Sequence, residues 1–386
     1  MKAGTLRPLY NAIGGYATVY LDTDRRAPDA PHAIELRWRD ARDALAAAGA
    51  HQETLDALGN VIADTDLVAP GRAVFARDGA VTGTIGLRTP PALPIAELSP
   101  LPRLLPALGD VPPAVPHLRV AVSSAGGEII TYYGPELWAA PGTRPQAGWL
   151  SCKEARGTSE VSAESWPVHK TPAGGWMRAR YQRSAEHRWE ENAKHFAARI
   201  AREADQAGAR FIVVSGDVRA RALLLGRLSA SPRDRVVVLD AEVPADDEKL
   251  AAVADATAAR LATQDCRHGL DQWRELIARN LAAEGIKATV AAVRDGQAAT
   301  VFLSDDAALA AIAWLGAGGT ELATSQAELA RRGVLGPLAE RADEAIIRAA
   351  ASTDADLFVI PDELAADYAP KDGVCASLRH PLPAPR

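Results

Sequence analysis

The chain has 386 residues, 43 of them Lys or Arg against 49 Asp or Glu, for a formal net charge of -6. That length exceeds one ordinary hydrophobic core and predicts two or three domains, while the acidic balance excludes a protein that coats nucleic acid over its whole surface, so any RNA contact has to come from local basic patches. Cys152, Cys266 and Cys375 lie far apart without CxxC or Cys/His spacing, which excludes a recognisable zinc site and a disulfide framework. No metal and no cofactor are expected. A reduced cytosol is the natural compartment. No apolar run reaches the roughly 18 residues of a membrane span, and Met1 to Tyr10 has no apolar run behind a basic segment. The reading is a soluble, cytoplasmic protein with neither a membrane nor DNA as partner.

Residues 1–116 read as one α/β domain. Tyr16-Ala17-Thr18-Val19-Tyr20-Leu21 and Arg72-Ala73-Val74-Phe75 are strands, with helices at Ala33 to about Ala48 and Glu53 to Ala63 between them. The prolines from Pro90 to Pro116 mark a connecting region that cannot hold long regular elements. A second domain, 117–267, opens with Leu118 to Ser123 and Glu128 to Tyr133 across a turn at Ala125-Gly126-Gly127, the signature of a hairpin. Strands Phe211 to Gly216 and Arg235 to Leu239 alternate with helices at Ala220 to Ser229 and Asp246 to Ala262, giving a mixed sheet layered with helices. A third domain, 268–386, starts with a helix from Leu270 to Ala283. It continues through an apolar run to the strand Ala299 to Leu303, a helix from about Leu338 to Ala351 and strands at Leu357 to Ile360 and Gly373 to Leu378, an α/β sandwich. The fold class is thus α/β and α+β in three domains.

The most informative stretch lies inside the second domain. A proline-broken loop, Trp166-Pro167-Val168-His169-Lys170-Thr171-Pro172-Ala173, runs into Gly174-Gly175-Trp176 and then into a segment from Met177 to about Ala204 without Gly or Pro. There Tyr181, Ala185, Trp189, Ala193, Phe196 and Ile200 recur at three- and four-residue steps, the apolar stripe of a half-buried helix. Arg178, Arg180, Arg183, Arg188, Lys194 and Arg199 make the other face cationic, and His169 and Lys170 add donors on the loop. Paired glycines permit positive φ and close backbone approach, so the stretch suits a tip on a basic stalk entering a phosphate-lined cavity. It equally suits a surface loop capping a solvated amphipathic helix. Ser215-Gly216-Asp217 is a strand-end turn rather than a phosphate loop, since no Walker or GxGxxG pattern is present.

Together these residues resemble the archaeal and eukaryotic class-1 peptide release factor and Pelota, and among their bacterial relatives the Balon-type ribosome hibernation factors and their actinobacterial homologues. The hairpin Leu118 to Tyr133 is similar to the opening of the middle domain, and Gly174-Gly175-Trp176 with Arg178, Arg180, Arg183, His187 and Arg188 lies where the family has Gly-Gly-Gln and its basic helix. Gly285 to Asp305 resembles the start of the C-terminal domain, which is related to kink-turn-binding ribosomal proteins. The resemblance implies the family's order of three domains.

The departures bear on function. Family members use the glutamine amide to orient a water at the peptidyl-tRNA ester; Trp176 offers one N–H and a large apolar face, which cannot reproduce that geometry and suits stacking on a base. The N-terminal segment also lacks the Asn-Ile-Lys-Ser signature of stop-codon reading; the nearest string is Asn11-Ala12-Ile13-Gly14. The resemblance therefore implies a ribosome-associated factor that occupies the A site without catalysing release. His169, Lys170, Gly174, Gly175, Trp176, Arg178, Arg180 and Arg183 would meet rRNA as positioning contacts, and elongation factor Tu would be the partner of the C-terminal domain. The alternative is an enzyme, a peptidyl-tRNA hydrolase or tRNA nuclease acting on stalled ribosomes, with His169 or His187 as base. No paired carboxylate is placed by the sequence to activate either histidine.

Overall fold

The computed structural model describes residues 1–10, 12–65, 69–110, 115–123, 126–137, 150–160, 193–304 and 307–381. They gather into two compact units, Met1–Val111, Glu136–Ser151 and Thr263–Arg386 in the first, Pro112–Pro135 and Cys152–Ala262 in the second. The two ends of the chain, taken from the sequence as separate domains, thus lie within one unit.

In the first unit, β1 (Tyr16–Asp22), α1 (Ala30–Ala47), α2 (Gln52–Ala63), β2 (Gly71–Arg77), β3 (Ala80–Leu87), β4 (Ile95–Ser99) and α3 (Leu105–Asp110) follow in order. The strands form an antiparallel sheet ordered β3-β2-β1-β4. β1 is apolar at consecutive positions because both its faces are covered. Ala17, Val19 and Leu21 pack with Ile34, Leu45 and Leu58 of α1 and α2, while Tyr20 joins a core shared with the C-terminal part of the chain. Arg72, fully buried on β2, donates to the carbonyls of Val61, Ile62 and Asp64 and so satisfies the end of α2. The proline-rich stretch is more than a connector. It supplies edge strand β4, a proline-free run between Pro94 and Pro100, and it buries Leu101, Leu104 and Leu105.

The second unit contains β5 (His117–Ser123), most of β6 (Gly126–Leu137) and of β7 (Leu150–Glu160), α4 (193–207), β8 (Phe211–Gly216), α5 (Val218–Arg227), α6 (Ala230–Arg233) and β9 (Val236–Val238). α7 (Glu248–Ile277) follows. The sheet runs β7-β6-β5-β8-β9, with β5 antiparallel to β6 and parallel to β8, and β8 parallel to β9. The hairpin is tighter than the sequence implied: Gly126 and Gly127 are strand residues paired with Ser123 and Val122. β8 is buried throughout, as a parallel strand covered on both faces should be. Its Ile212 and Val214 face α4 and α5, and its Phe211 and Val213 face Leu250, Ala254 and Ala258 of α7.

α7 is one helix where the sequence implied two, and the division placed at 267/268 falls inside it. Gly269 costs a helix only about 1 kcal/mol, and Cys266, Leu270 and Trp273 bury a stripe on either side of it.

The C-terminal part adds β10 (Ala282–Glu284), α8 (Gly285–Arg294), β11 (Ala298–Leu303), β12 (Ile312–Leu315), β13 (Leu322–Ala323), α9 (Gln326–Arg331), β14 (Leu338–Arg341), α10 (Ala342–Thr353), β15 (Asp356–Val359), α11 (Asp362–Ala365) and β16 (Val374–Leu378). A mixed sheet β10-β16-β11-β15 and a small antiparallel sheet β13-β12-β14 result. The end of the helix expected over Leu270 to Ala283 is strand β10. The start of the one expected from Leu338 is β14, because those residues pair with β12.

The first ten residues lie on this part of the same unit. Ala3 N–H donates to Ala355 O and Leu357 N–H to Met1 O, and Leu6, Leu9 and Tyr10 share a core with Ile346, Ile347 and Ala350 of α10. No described helix is long and apolar enough to cross a membrane.

Candidate functional site

The tip residues His169, Lys170, Gly174, Gly175, Trp176, Arg178, Arg180 and Arg183, together with His187 and Trp189, lie outside the described residues. The described chain resumes after them with α4. α4 carries Phe196, Ala197, Ile200 and Ala204 at three- and four-residue spacing. These four bury against Leu118 and Val120 of β5, Ile129 of β6, Ile212 and Val214 of β8 and Leu224 of α5. Phe196 fits because its neighbour on β6 is Gly127: a Cβ there would stand 2.2 Å from Phe196 Cζ. A polar tie runs beside it, Arg199 Nε donating to Glu203 Oε1 at 2.8 Å and Thr131 Oγ1 donating to Glu203 Oε2 at 3.1 Å. The outward face of α4 exposes Lys194, His195 and Arg202, with Asp205 near its end. Such a face can meet phosphates.

The rest of the second unit shows no catalytic arrangement among its described residues. Asp217 caps α5: its Oδ1 accepts from the N–H groups of Arg219 and Ala220, both at 3.0 Å. A carboxylate already fills that helix N-terminus, so Ser215-Gly216-Asp217 offers no seat to a phosphate. Arg221 donates to Leu239 O and pairs with Asp240 at 2.6 Å.

His117 is sandwiched between Tyr132 and Phe211, ring centroids 4.4 and 4.6 Å away. With one ring nitrogen on Val115 O and the side chain 2% exposed, burial, aided by Arg119, drops its pKa from 6.5 to about 4. The neutral ring is a packing element. Since the unfolded chain takes up a proton near pH 6.5 and the folded one only near 4, stability is full above about pH 6.5 and falls as pH drops towards 4, by roughly 3 kcal/mol. Urea unfolding at pH 7 and pH 4.5 should show this loss, and His117→Phe should flatten it. An unchanged acid slope in that variant would assign the loss elsewhere.

Cys266 and Cys375 are free and buried in one cluster with Leu270, Trp273 and Phe302. Burial pushes the Cys266 thiol up to about 12 and that of Cys375 higher still, so neither serves as a nucleophile. No group of His, Cys, Asp and Glu suited to a metal ion occurs among the described residues.

In the first unit the sequence reading missed a buried acidic group. Glu340 is the penultimate residue of β14, and Asp343 and Glu344 open α10, all at 4% exposure or less. Asp343 pairs with Arg341 at 2.5 Å. Glu340 and Glu344 instead reach the proline-rich stretch and accept main-chain N–H groups there. The signal was available: Asp343, Glu344 and Arg348 stand in a helix whose other residues up to Ala351 are apolar, and a charge in such a helix has to be partnered inside.

Residues 116–279 match the model of bacterial archaeo-eukaryotic release factor family 2. An uncharacterized protein of Mycobacterium tuberculosis, strain CDC 1551 / Oshkosh, and one of strain ATCC 25618 / H37Rv are each 27% identical over 388 residues, covering 98% of this chain and 97% of the relative. Among solved structures, Archaeoglobus fulgidus Pelota is similar at 11% identity and a TM-score of 0.35, with 81% of this chain and 80% of that one covered. A chain of a model of ribosome-bound archaeal Pelota and ABCE1 is similar at 12% identity and a TM-score of 0.37, with 99% and 96% covered.

Proposed function

We propose, from the premise that this chain is a bacterial relative of the archaeo-eukaryotic release factors through residues 116–279, that it binds the ribosomal A site as a non-hydrolytic occupant with a hibernation or stress role. The observation that carries the reading is Gly174-Gly175-Trp176: the glycine pair that lets a loop enter a tight RNA cavity is retained, and the amide that would orient a hydrolytic water is replaced by an indole. Arg178, Arg180 and Arg183, with His169 and Lys170, supply phosphate contacts that position the tip without reading sequence. The buried stripe of α4 supports it, since an arm that probes a cavity needs a root fixed in a core. On this reading elongation factor Tu is the partner of the C-terminal part.

The test is sedimentation of the purified protein with vacant 70S ribosomes, with and without elongation factor Tu and GDP, followed by cryo-electron microscopy of the pellet. Density in the A site with Trp176 near the peptidyl transferase centre is the expected result. Trp176→Ala should weaken binding modestly. Arg178→Glu with Arg180→Glu should remove it, each phosphate contact being worth on the order of 2 kcal/mol. Unchanged co-sedimentation of the double variant would sink the reading, and release of peptide or tRNA from stalled complexes would replace it with an enzymatic one.

A further inference from the structure

Residues 100–106 run Pro-Leu-Pro-Arg-Leu-Leu-Pro. Three of the seven have no N–H to offer, so this buried stretch has four main-chain donors. One, from Arg103, goes to Thr18 Oγ1 at 3.2 Å. The other three go to two carboxylates about 240 residues away in the chain. Leu101 N–H donates to Glu340 Oε2 at 2.8 Å, and Leu104 and Leu105 N–H donate to Glu344 Oε1 at 2.8 and 3.0 Å. Glu340 Oε1 also accepts from Arg341 N–H at 2.7 Å, while Glu344 Oε2 is buried with no hydrogen-bond partner among the described residues.

Among the described residues no cation pairs directly with either carboxylate, although Arg341 bears on Glu344 at longer range. Arg341 is taken by Asp343, Arg103 by Glu97 at 3.2 Å, and Arg348 by the carbonyls of Gly316 and Ala317. Arg77, from β2, lies over the ring of Tyr16. The charged groups that bear most on the pair are other acids: Asp343 on both, Glu97 on Glu340, and Glu340 on Glu344. Tyr10, buried on the 3-10 turn Ala3–Tyr10, adds a hydroxyl with no hydrogen-bond partner among the described residues. An ionised pair here is two like charges out of water. A protonated Glu344 is well suited to the site, because a proton on Oε2 leaves Oε1 free to accept both N–H groups.

We infer that Glu340 and Glu344 form a proton-dependent latch that holds residues 100–106 on β14 and α10, closed while the pair is protonated and released when it ionises. Burial raises Glu340 to about 7 and Glu344 well above the ordinary carboxylate value. The sign follows from linkage. A carboxyl whose folded value is raised stabilises the closed form fully below about pH 4.5, and that stability drains away as pH rises towards the folded value. Opening therefore becomes easier from mildly acid to neutral pH.

Hydrogen exchange at the amides of Leu101, Leu104 and Leu105, corrected for intrinsic rates, reads the latch directly in the full-length protein. The opening constant should rise at least tenfold between about pH 5 and pH 7.5. The double variant Glu340→Gln with Glu344→Gln, neutral at every pH and still carrying the acceptor oxygens, should show no such slope. A flat profile in the wild type, or the same slope in the variant, would overturn the latch. Should the variant not fold, side-chain 13C titration of the wild-type glutamates decides the matter: two carboxyls titrating above about pH 6 support it, and none above the ordinary range refutes it.

Discussion

Gly216→Ala is expected to cost the second unit about 3–5 kcal/mol, combining backbone strain with overpacking. Gly216 ends β8 at φ +117°, and a Cβ there would lie 1.8 Å from Val122 O and 2.7 Å from Val122 C. Both obstacles are main chain, so no side-chain rotation relieves them. Val122 is the last β5 residue paired with β8, and its carbonyl accepts the N–H of Asp217 at 3.0 Å, which positions the cap of α5. A side chain at 216 therefore parts the two central strands and unseats the helix after them. Gly208→Ala is the matched control: φ is +61° but the space is open, so it should cost only about 1 kcal/mol. Calorimetry of both variants checks this. Equal midpoints would mean that the close approach at Val122 carries no energy.

How far the sequence could be read depended on whether local pattern and tertiary packing agreed. Tyr16 to Leu21, Phe211 to Gly216 and the hairpin strands at 118 and 128 were legible because continuous or alternating apolar runs between turn residues have one reading. β3 was missed, since Gly83 and Gly86 weaken its strand character, yet it pairs along its length with β2. The start of α10 was misread because Leu338 to Arg341 are good helix formers that β12 recruits into a sheet. The proline-rich stretch looked like a linker because prolines remove donors. What the pattern could not show is that three of the donors left in residues 100–106 have buried acceptors about 240 residues away.

The candidate site divides in the same way. Gly174-Gly175-Trp176 and the arginines after it are legible as a motif because they are contiguous. The registry of α4 was legible too: Phe196 and Ile200, placed on the apolar stripe from spacing alone, are 5% and 0% exposed. Asp217 was rightly taken as a turn residue, and its two main-chain bonds show why. His117 escaped notice because a lone histidine at a strand start gives no hint that aromatic rings from β6 and β8 will close over it. Contacts between separate strands are decided by topology, which single-residue patterns do not encode.

Phe196→Ala should then cost about 3–5 kcal/mol, the ordinary range for emptying a buried aromatic site. Its ring lies against Gly127 on β6 and belongs to the cluster that fixes α4 to the sheet. The contact can be isolated with a second substitution. Gly127→Ala in the native background forces a Cβ to within 2.2 Å of the ring, an overpacking worth about 1–3 kcal/mol. In the Phe196→Ala background the same methyl enters the space that the ring has left, and its cost should vanish or change sign. Equal costs in the two backgrounds would show that residues 127 and 196 do not touch in solution. The functional consequence runs through geometry. If the arm acts by placing Trp176 in an RNA cavity, loosening its root should weaken ribosome binding while Arg178 and Arg180 remain intact, and Gly127→Ala with Phe196→Ala should recover part of that loss. Full binding by Phe196→Ala at a temperature where the second unit remains folded would mean that the arm works without a fixed root.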